Sequence, residues 1–298
     1  MTNPRISLDS YAKINLSLEI LRKRGDGFHE IKSIIQTVSL ADRILLSRQD
    51  GVNITVQNAC IPLKENLAFK AVLALQEFTG CTKGANIHIQ KTIPLDSGLG
   101  GGSSNAATVL MGLNELWELN LPKSQLKRVA TELGSDVPFF INGGTAFIEG
   151  KGEKIRAIPD CEENWYFLIV PPSNIKNKTR EMYSLLKKDN FTKGFLTQKL
   201  EARLRLGGDL PSELMFNGFY SVARNVFQGF QHVEDTLESL GAKEAHLTGS
   251  GPAMFCRISD KSVGKAMQML AKHEYDTEGY VVSSIEANVA TSIEHPGK

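Results

Sequence analysis

What this sequence lacks narrows its chemistry first. It lacks an excess of charge: 34 Lys and Arg stand against 33 Asp and Glu, a net charge of +1. A broad basic surface for nucleic acid and a solvated acidic tail are both excluded. It lacks long apolar runs; the one at residues 165–170 is far short of the ~20 residues that span a bilayer. Residues 1–10 hold no apolar stretch before a small-residue cleavage site, so no leader is expected. Cys60, Cys81, Cys161 and Cys256 are scattered with no C-x-x-C pair. That argues against a disulfide framework or thiolate zinc site and for reduced thiols in a cytoplasmic protein. His29-Glu30 opens like a zinc-protease helix, but Ser33 stands where the second histidine is needed. No repeat or low-complexity tract is present.

What is present is an ordinary globular composition, 41% hydrophobic and 22% charged over 298 residues, enough for one large or two medium domains. Residues 5–21 alternate apolar and polar, which predicts a strand with one buried face. Residues 22–27 form a charged turn, with further strands at 34–47, 52–57 and 86–91. Asn66 caps a helical pattern that stops at Gly80. Helices follow at 103–118 and 123–133, then a hairpin at 144–149 and 154–158. A composition shift at 159–164 sets the expected boundary between domains 1–160 and 161–298. Beyond it the pattern predicts strands at 165–170, 244–248, 253–258 and 279–285, with helices at 179–187, 221–240 and 261–272. Strands and helices without strict alternation imply two α+β domains rather than one wound parallel sheet.

The 26 glycines are unevenly spread. Four fall in Pro94-Leu95-Asp96-Ser97-Gly98-Leu99-Gly100-Gly101-Gly102-Ser103-Ser104, between a strand and a helix. Four glycines in five positions carry a conformational entropy cost that a plain turn does not need, and they let the backbone approach a ligand closely. Free N–H groups at the following helix start form an anion site, to which Ser103 and Ser104 add hydroxyls for phosphate oxygen or Mg²⁺. The Walker pattern is absent, because no lysine follows Gly102; Gly150-Lys151 is a decoy with Thr145 in place of the first glycine. The dinucleotide pattern fails at Ser103, and the H-R-D signature of protein kinases is missing.

This glycine loop resembles that of the GHMP kinases, a superfamily of small-molecule kinases. Ala12-Lys13-Ile14-Asn15-Leu16 near the start and Leu247-Thr248-Gly249-Ser250-Gly251-Pro252-Ala253 near the end match its other two segments, so the resemblance spans most of the chain. Gly27-Phe28-His29 and Gly134-Ser135-Asp136-Val137-Pro138 are similar to members that phosphorylate a cytidine diphosphate-linked methylerythritol in non-mevalonate isoprenoid synthesis. Leu95-Asp96-Ser97 departs from the usual glycine-rich opening, and Asp96 is expected to point to solvent.

The resemblance implies an N-terminal two-layer nucleotide domain, a C-terminal ferredoxin-like sandwich and a site in the cleft between them. It implies phosphoryl transfer from ATP, with Mg²⁺, to the tertiary 2-hydroxyl of the cytidyl alcohol. Such chemistry needs a base at the hydroxyl and a cation at the moving phosphoryl group. Asp136 is the candidate base, although alone it reads as a turn or capping aspartate. Lys13 is the candidate cation, keeping the carboxylate ionised and polarising the nucleophile; alone it reads as a solvated strand lysine. Asn15, two residues on, shares its face of the strand. Phe28 and His29 suit a cytosine, Asn66 and Lys91 the adenine end, and Gly249, Ser250 and Gly251 a second backbone segment against substrate or loop. Ser104 is the candidate metal ligand. A monomer or weak homodimer acting on a small molecule, with no nucleic acid or membrane partner, is expected. The alternatives are a homoserine- or mevalonate-type kinase, or a nucleotide- or sugar-binding regulator without chemistry.

Overall fold

The computed structural model of the chain describes residues 5–159, 163–173, 175 and 177–294; Cys161 and part of the expected boundary lie outside them. A long antiparallel hairpin, β1 (Arg5–Lys23) and β2 (His29–Arg48), forms the spine of the N-terminal half. The second edge of β2 is divided. Residues 43–48 pair with β4 and residues 31–36 with β5, while β3 (Val52–Gln57) runs parallel to β4 (Ala85–Gln90). Between β3 and β4 lies α1 (Leu67–Thr79), which starts where Asn66 Oδ1 accepts the Ala68 N–H and stops at Gly80 with φ +70°. After β4 come α2 (Gly101–Leu116), α3 (Lys123–Leu133), the single-turn α4 (Val137–Phe140), and the hairpin β5 (Thr145–Gly150) and β6 (Lys154–Ile158). Ala106, Leu110 and Leu113 of α2 pack with Val72 and Leu75 of α1 against Leu8, Ile44 and Leu46 of the sheet. This makes the two-layer core.

The second sheet comprises β7 (Trp165–Ile169), β8 (His246–Leu247), β9 (Met254–Ile258) and β10 (Gly279–Ser283) in the order β10-β7-β9-β8, antiparallel throughout. With α5 (Lys178–Ser184), α6 (Phe195–Arg205), α7 (Tyr220–Val226), α8 (Phe230–Ser239) and α9 (Lys261–Tyr275) it builds the split βαβ sandwich of ferredoxin-like folds. After β10, α10 (Ala287–Ala290) precedes a return to β1, where Glu294 N–H meets Ser7 O at 3.1 Å. Among the described residues no helix is long and apolar enough to cross a membrane.

Three expectations change. First, β1 is buried on both faces. Two of its polar residues are covered by the second half of the chain: Ser17 Oγ lies 2.7 Å from Thr197 Oγ1, and Thr197 N–H donates to Glu19 Oε2 at 2.7 Å. The alternation marks a polar cleft wall rather than a solvent face. Second, the 221–240 pattern is two helices, because Gly229 takes φ +79° between them. Third, α6 forms where no element is expected, although Leu196, Leu200 and Leu204 carry the four-residue spacing of a buried stripe and the last two are buried.

Candidate active site

The site is assembled on β1. The pairing of β1 with β2 slips between Tyr11 and Ala12, and such an irregularity re-aims the side chains that follow it. Lys13 comes next. Its backbone N–H donates to Leu99 O at 2.9 Å, latching the glycine loop to the strand. Its Nζ donates to Asn15 Oδ1 at 2.6 Å, so the two side chains do share a face. Asn15 is fixed in turn by Ser33 Oγ, 2.8 Å from its Nδ2, and its backbone N–H reaches Thr248 Oγ1 at 2.9 Å.

That last contact joins the two halves of the chain. Ala253 N–H donates to Ser97 O at 2.9 Å, and Asn217 Nδ2 holds Leu247 O and Gly249 O at 2.8 and 3.0 Å. The segment around Gly249–Gly251 therefore lies flat on the glycine loop. A Cβ on Gly98, which has φ +90°, would stand 2.7 Å from Thr248 O and 2.9 Å from Gly251 O. At Gly249, φ +57°, a Cβ would be 3.1 Å from Lys13 Nζ. These two glycines are required by close backbone approach as well as by positive φ.

Helix α2 starts at Gly101, two residues before the sequence pattern places it, with Gly100 as its N-cap and no side-chain capping bond. The first N–H groups of the helix, from Gly101 to Ser103, therefore face outward without a helical partner. Asp136 sits at the start of α4, and its carboxylate makes no capping bond there. The capping role that its local sequence suggests is not the one it adopts. Its charge acts instead on two neighbours. Lys13 is 3% exposed, and burial lowers its pKa while Asp136 opposes the shift. Burial pushes the Tyr183 hydroxyl well above its ordinary range, and Asp136 adds to that.

Tyr183 extends the site into an aromatic wall. His29 stacks on it at 4.9 Å between ring centroids and 25° between planes, and Phe219 closes the far side edge-on at 4.8 Å. His29 is held neutral-leaning, its pKa lowered by burial and then by Lys23. Phe28 is not part of that stack. It is 53% exposed, with Lys151 Nζ 4.5 Å from its ring centre.

Other expected residues are placed differently from one another. Asp96 is exposed, with φ +50°. Asn66 uses its side chain to cap α1. Lys91 is buried and ion-paired with Asp42, which is 0% exposed and also accepts from Thr92 N–H, Ile93 N–H and Asn105 Nδ2. That places Lys91 beneath Gly101 rather than at an open adenine face. Ser104 is 1% exposed, with its hydroxyl 2.8 Å from Ser10 Oγ. It supports the helix from below, whereas Ser103 keeps part of its surface open. Two residues have no counterpart among the expectations: Tyr183, and Lys178, which is buried and donates to Gly251 O. Both lie on α5, whose own sequence signals only a helix.

The chain is similar to known proteins over most of its length. Residues 66–144 match the family described as GHMP kinases N terminal domain. A 4-diphosphocytidyl-2-C-methyl-D-erythritol kinase of Dehalococcoides mccartyi is 41% identical over 87% of this chain and 92% of its own length. A crystal structure of 4-(cytidine 5'-diphospho)-2C-methyl-D-erythritol kinase superposes with a TM-score of 0.80 at 26% identity, over 93% of this chain and 98% of that one. A homoserine kinase from Cytophaga hutchinsonii shares the fold, with a TM-score of 0.74 at 19% identity over 99% and 98% of the two chains. The two-domain α+β architecture is thus that of the GHMP kinases, and the chain belongs to their 4-diphosphocytidyl-2-C-methyl-D-erythritol kinase family.

Proposed function

We propose that the chain transfers the γ-phosphoryl group of ATP to the 2-hydroxyl of 4-diphosphocytidyl-2-C-methyl-D-erythritol, with Asp136 as base and Lys13 as the cation beside it. ATP is the phosphoryl donor and a small-molecule alcohol the acceptor, as in the kinases to which the chain is related. Residues 1–160 carry the nucleotide side and residues 161–298 much of the acceptor side. The observation that carries the reading is the convergence of Lys13, Asp136 and the open first turn of α2 beside an aromatic wall that suits a pyrimidine.

The outward N–H groups of the glycine loop and of α2 bind the nucleotide phosphates. His29, backed by Tyr183, presents a ring with a polar edge for the cytosine, and Asn15 and Lys13 fix the hydroxyl. Asp136 takes the hydroxyl proton as the new O–P bond forms, and the electron pair of the breaking bond leaves with ADP. Lys13, pinned by Asn15, lies where charge builds on the moving phosphoryl group.

Mg²⁺ fits this arrangement as an ion carried largely by the nucleotide. No cluster of three His, Cys, Asp or Glu side chains suited to a metal occurs among the described residues, and Mg²⁺ keeps waters and phosphate oxygens as ligands. Ser103 is the serine on the open side of the helix that would hold it, not Ser104. When bound, the ion neutralises charge on the phosphates. The test is ADP production against a panel of alcohols with and without the cytidine diphosphate group. Strong preference for the cytidyl alcohol is expected; indifference to that group would refute the acceptor.

A further inference from the structure

Lys178 is the first residue of α5, on the second half of the chain, yet it belongs spatially to the glycine loop. It is 6% exposed, and its ammonium donates to the Gly251 carbonyl. That carbonyl is one of the two that press on Gly98. The next residue, Thr179, has its hydroxyl 3.3 Å from Ser250 Oγ, so the start of α5 is docked on the segment that covers the loop. Among the described residues no carboxylate lies within ion-pairing distance of Lys178. The charges that face it are Lys13 from β1 and Asp96 from the glycine loop; the covering segment presents the neutral Gly251 carbonyl and Ser250 hydroxyl.

Two buried lysines of like charge therefore act on each other beside the glycine loop, neither in a contact ion pair among the described residues, with Asp136 the carboxylate that acts on Lys13 and Asp96 the one that acts on Lys178. Such a pair is unfavourable in the free protein and is relieved by an anion between them. We propose that Lys178 is a second cation of the phosphoryl-transfer site, holding the γ-phosphate of ATP from the side opposite Lys13, an assignment that rests on the kinase reading above. The position of Asp96 gains a purpose as well. It is exposed at the loop mouth and offsets part of the charge that Lys178 adds before ATP enters.

The free protein shows the strain. The pKa of Lys178 is lowered to about 8, by burial first and Lys13 second, with Asp96 opposing. It is charged below pH 8 and loses its proton above, so its hold on phosphate weakens as the pH rises.

The test compares binding of ADP with binding of a β,γ-imido ATP analogue, by calorimetry, for the wild type, Lys178→Met and Lys178→Arg at pH 7 and pH 9. Lys178→Met is expected to weaken the analogue about tenfold while ADP stays within about twofold, as for loss of one charge-assisted bond to a single phosphate. Lys178→Arg is expected to keep the preference at pH 7. Between pH 7 and 9 the wild type should lose roughly tenfold in analogue affinity relative to Lys178→Arg, because only the lysine titrates in that window. The analogue's own ionisation is common to all three proteins and cancels in that ratio. Equal weakening of both nucleotides in Lys178→Met, or the same alkaline loss in Lys178→Arg, would overturn the assignment and leave Lys178 a structural strut. If Lys178→Met does not fold, the pH comparison between the wild type and Lys178→Arg decides alone. Neither ligand involves the acceptor alcohol, so a wrong acceptor and a wrong role for Lys178 give separate failures.

Discussion

The two sides of the glycine loop treat buried charge in opposite ways. Below the loop, Lys91 meets Asp42, and Asp42 is saturated by two backbone N–H groups and Asn105, with Ser10 and Ser104 completing the network. Above it, among the described residues, Lys13 has only the neutral Asn15 as a side-chain hydrogen-bond partner, and Lys178 only a carbonyl. A buried ion with all its partners supplied by the protein is part of the scaffold. A buried ion left with a neutral partner is held ready for charge that comes with a ligand. Near-neutral overall charge is compatible with binding ATP for this reason: a few aimed lysines and backbone N–H groups replace a basic surface.

The largest effect should follow from changing the upper side at Asp136, the carboxylate proposed as the base. Asp136→Asn is expected to keep ATP binding and the thermal midpoint while kcat falls by about 10²–10⁴; a near-normal kcat would remove Asp136 from the base position. Changing the lower side should be felt in stability instead. Asp42→Ala strands Lys91 in the interior and is expected to cost about 3–5 kcal/mol in denaturant unfolding, and a loss of kcat without a loss of stability would break the comparison. Gly98→Ala tests the seam between loop and covering segment. The added Cβ would meet two backbone carbonyls in a left-handed conformation, costing about 1–3 kcal/mol and raising KM for ATP. The smallest effect concerns His29. Its pKa is depressed in the folded protein by burial and Lys23, so the unfolded chain takes up the proton first. The stability it contributes is complete above the ordinary pKa of about 6.5 and is lost as the pH falls through that value. A thermal scan from pH 7.5 to 5.5 should show a shallow decline that His29→Gln reduces.

Lys13 and Asp136 read alone as a strand lysine and a turn aspartate, and it is the resemblance to the GHMP kinases that gives them their expected roles. The glycine loop was legible in its own residues, because its requirements are local: glycines at 98 and 100–102 before a helical pattern mark an anion site. Helix α1 was legible for the same reason, its cap and stop being Asn66 and Gly80. The lower side was not. Lys91 and Ser104 look like ligand-facing groups until β2 brings Asp42 and β1 brings Ser10 beneath the helix, over sequence separations of 49 and 94 residues. Lys178 and Tyr183 were hidden by the converse effect. Nothing in the pattern of α5 shows that it docks on a loop some seventy residues away. The burial of both faces of β1 was likewise unreadable, since a polar cleft wall and a solvent face share one alternation.

The most direct measurement sets Lys13→Met beside Lys91→Met, with unfolding free energy and kcat determined for each. Both changes remove one ammonium and keep an apolar chain of similar length. Lys13→Met is expected to unfold at or above the wild-type denaturant midpoint with kcat reduced at least about a hundredfold, and Lys91→Met to be destabilised by several kcal/mol while the folded fraction keeps most of its turnover. Equal stability losses in the two variants, or an active Lys13→Met, would contradict this contrast.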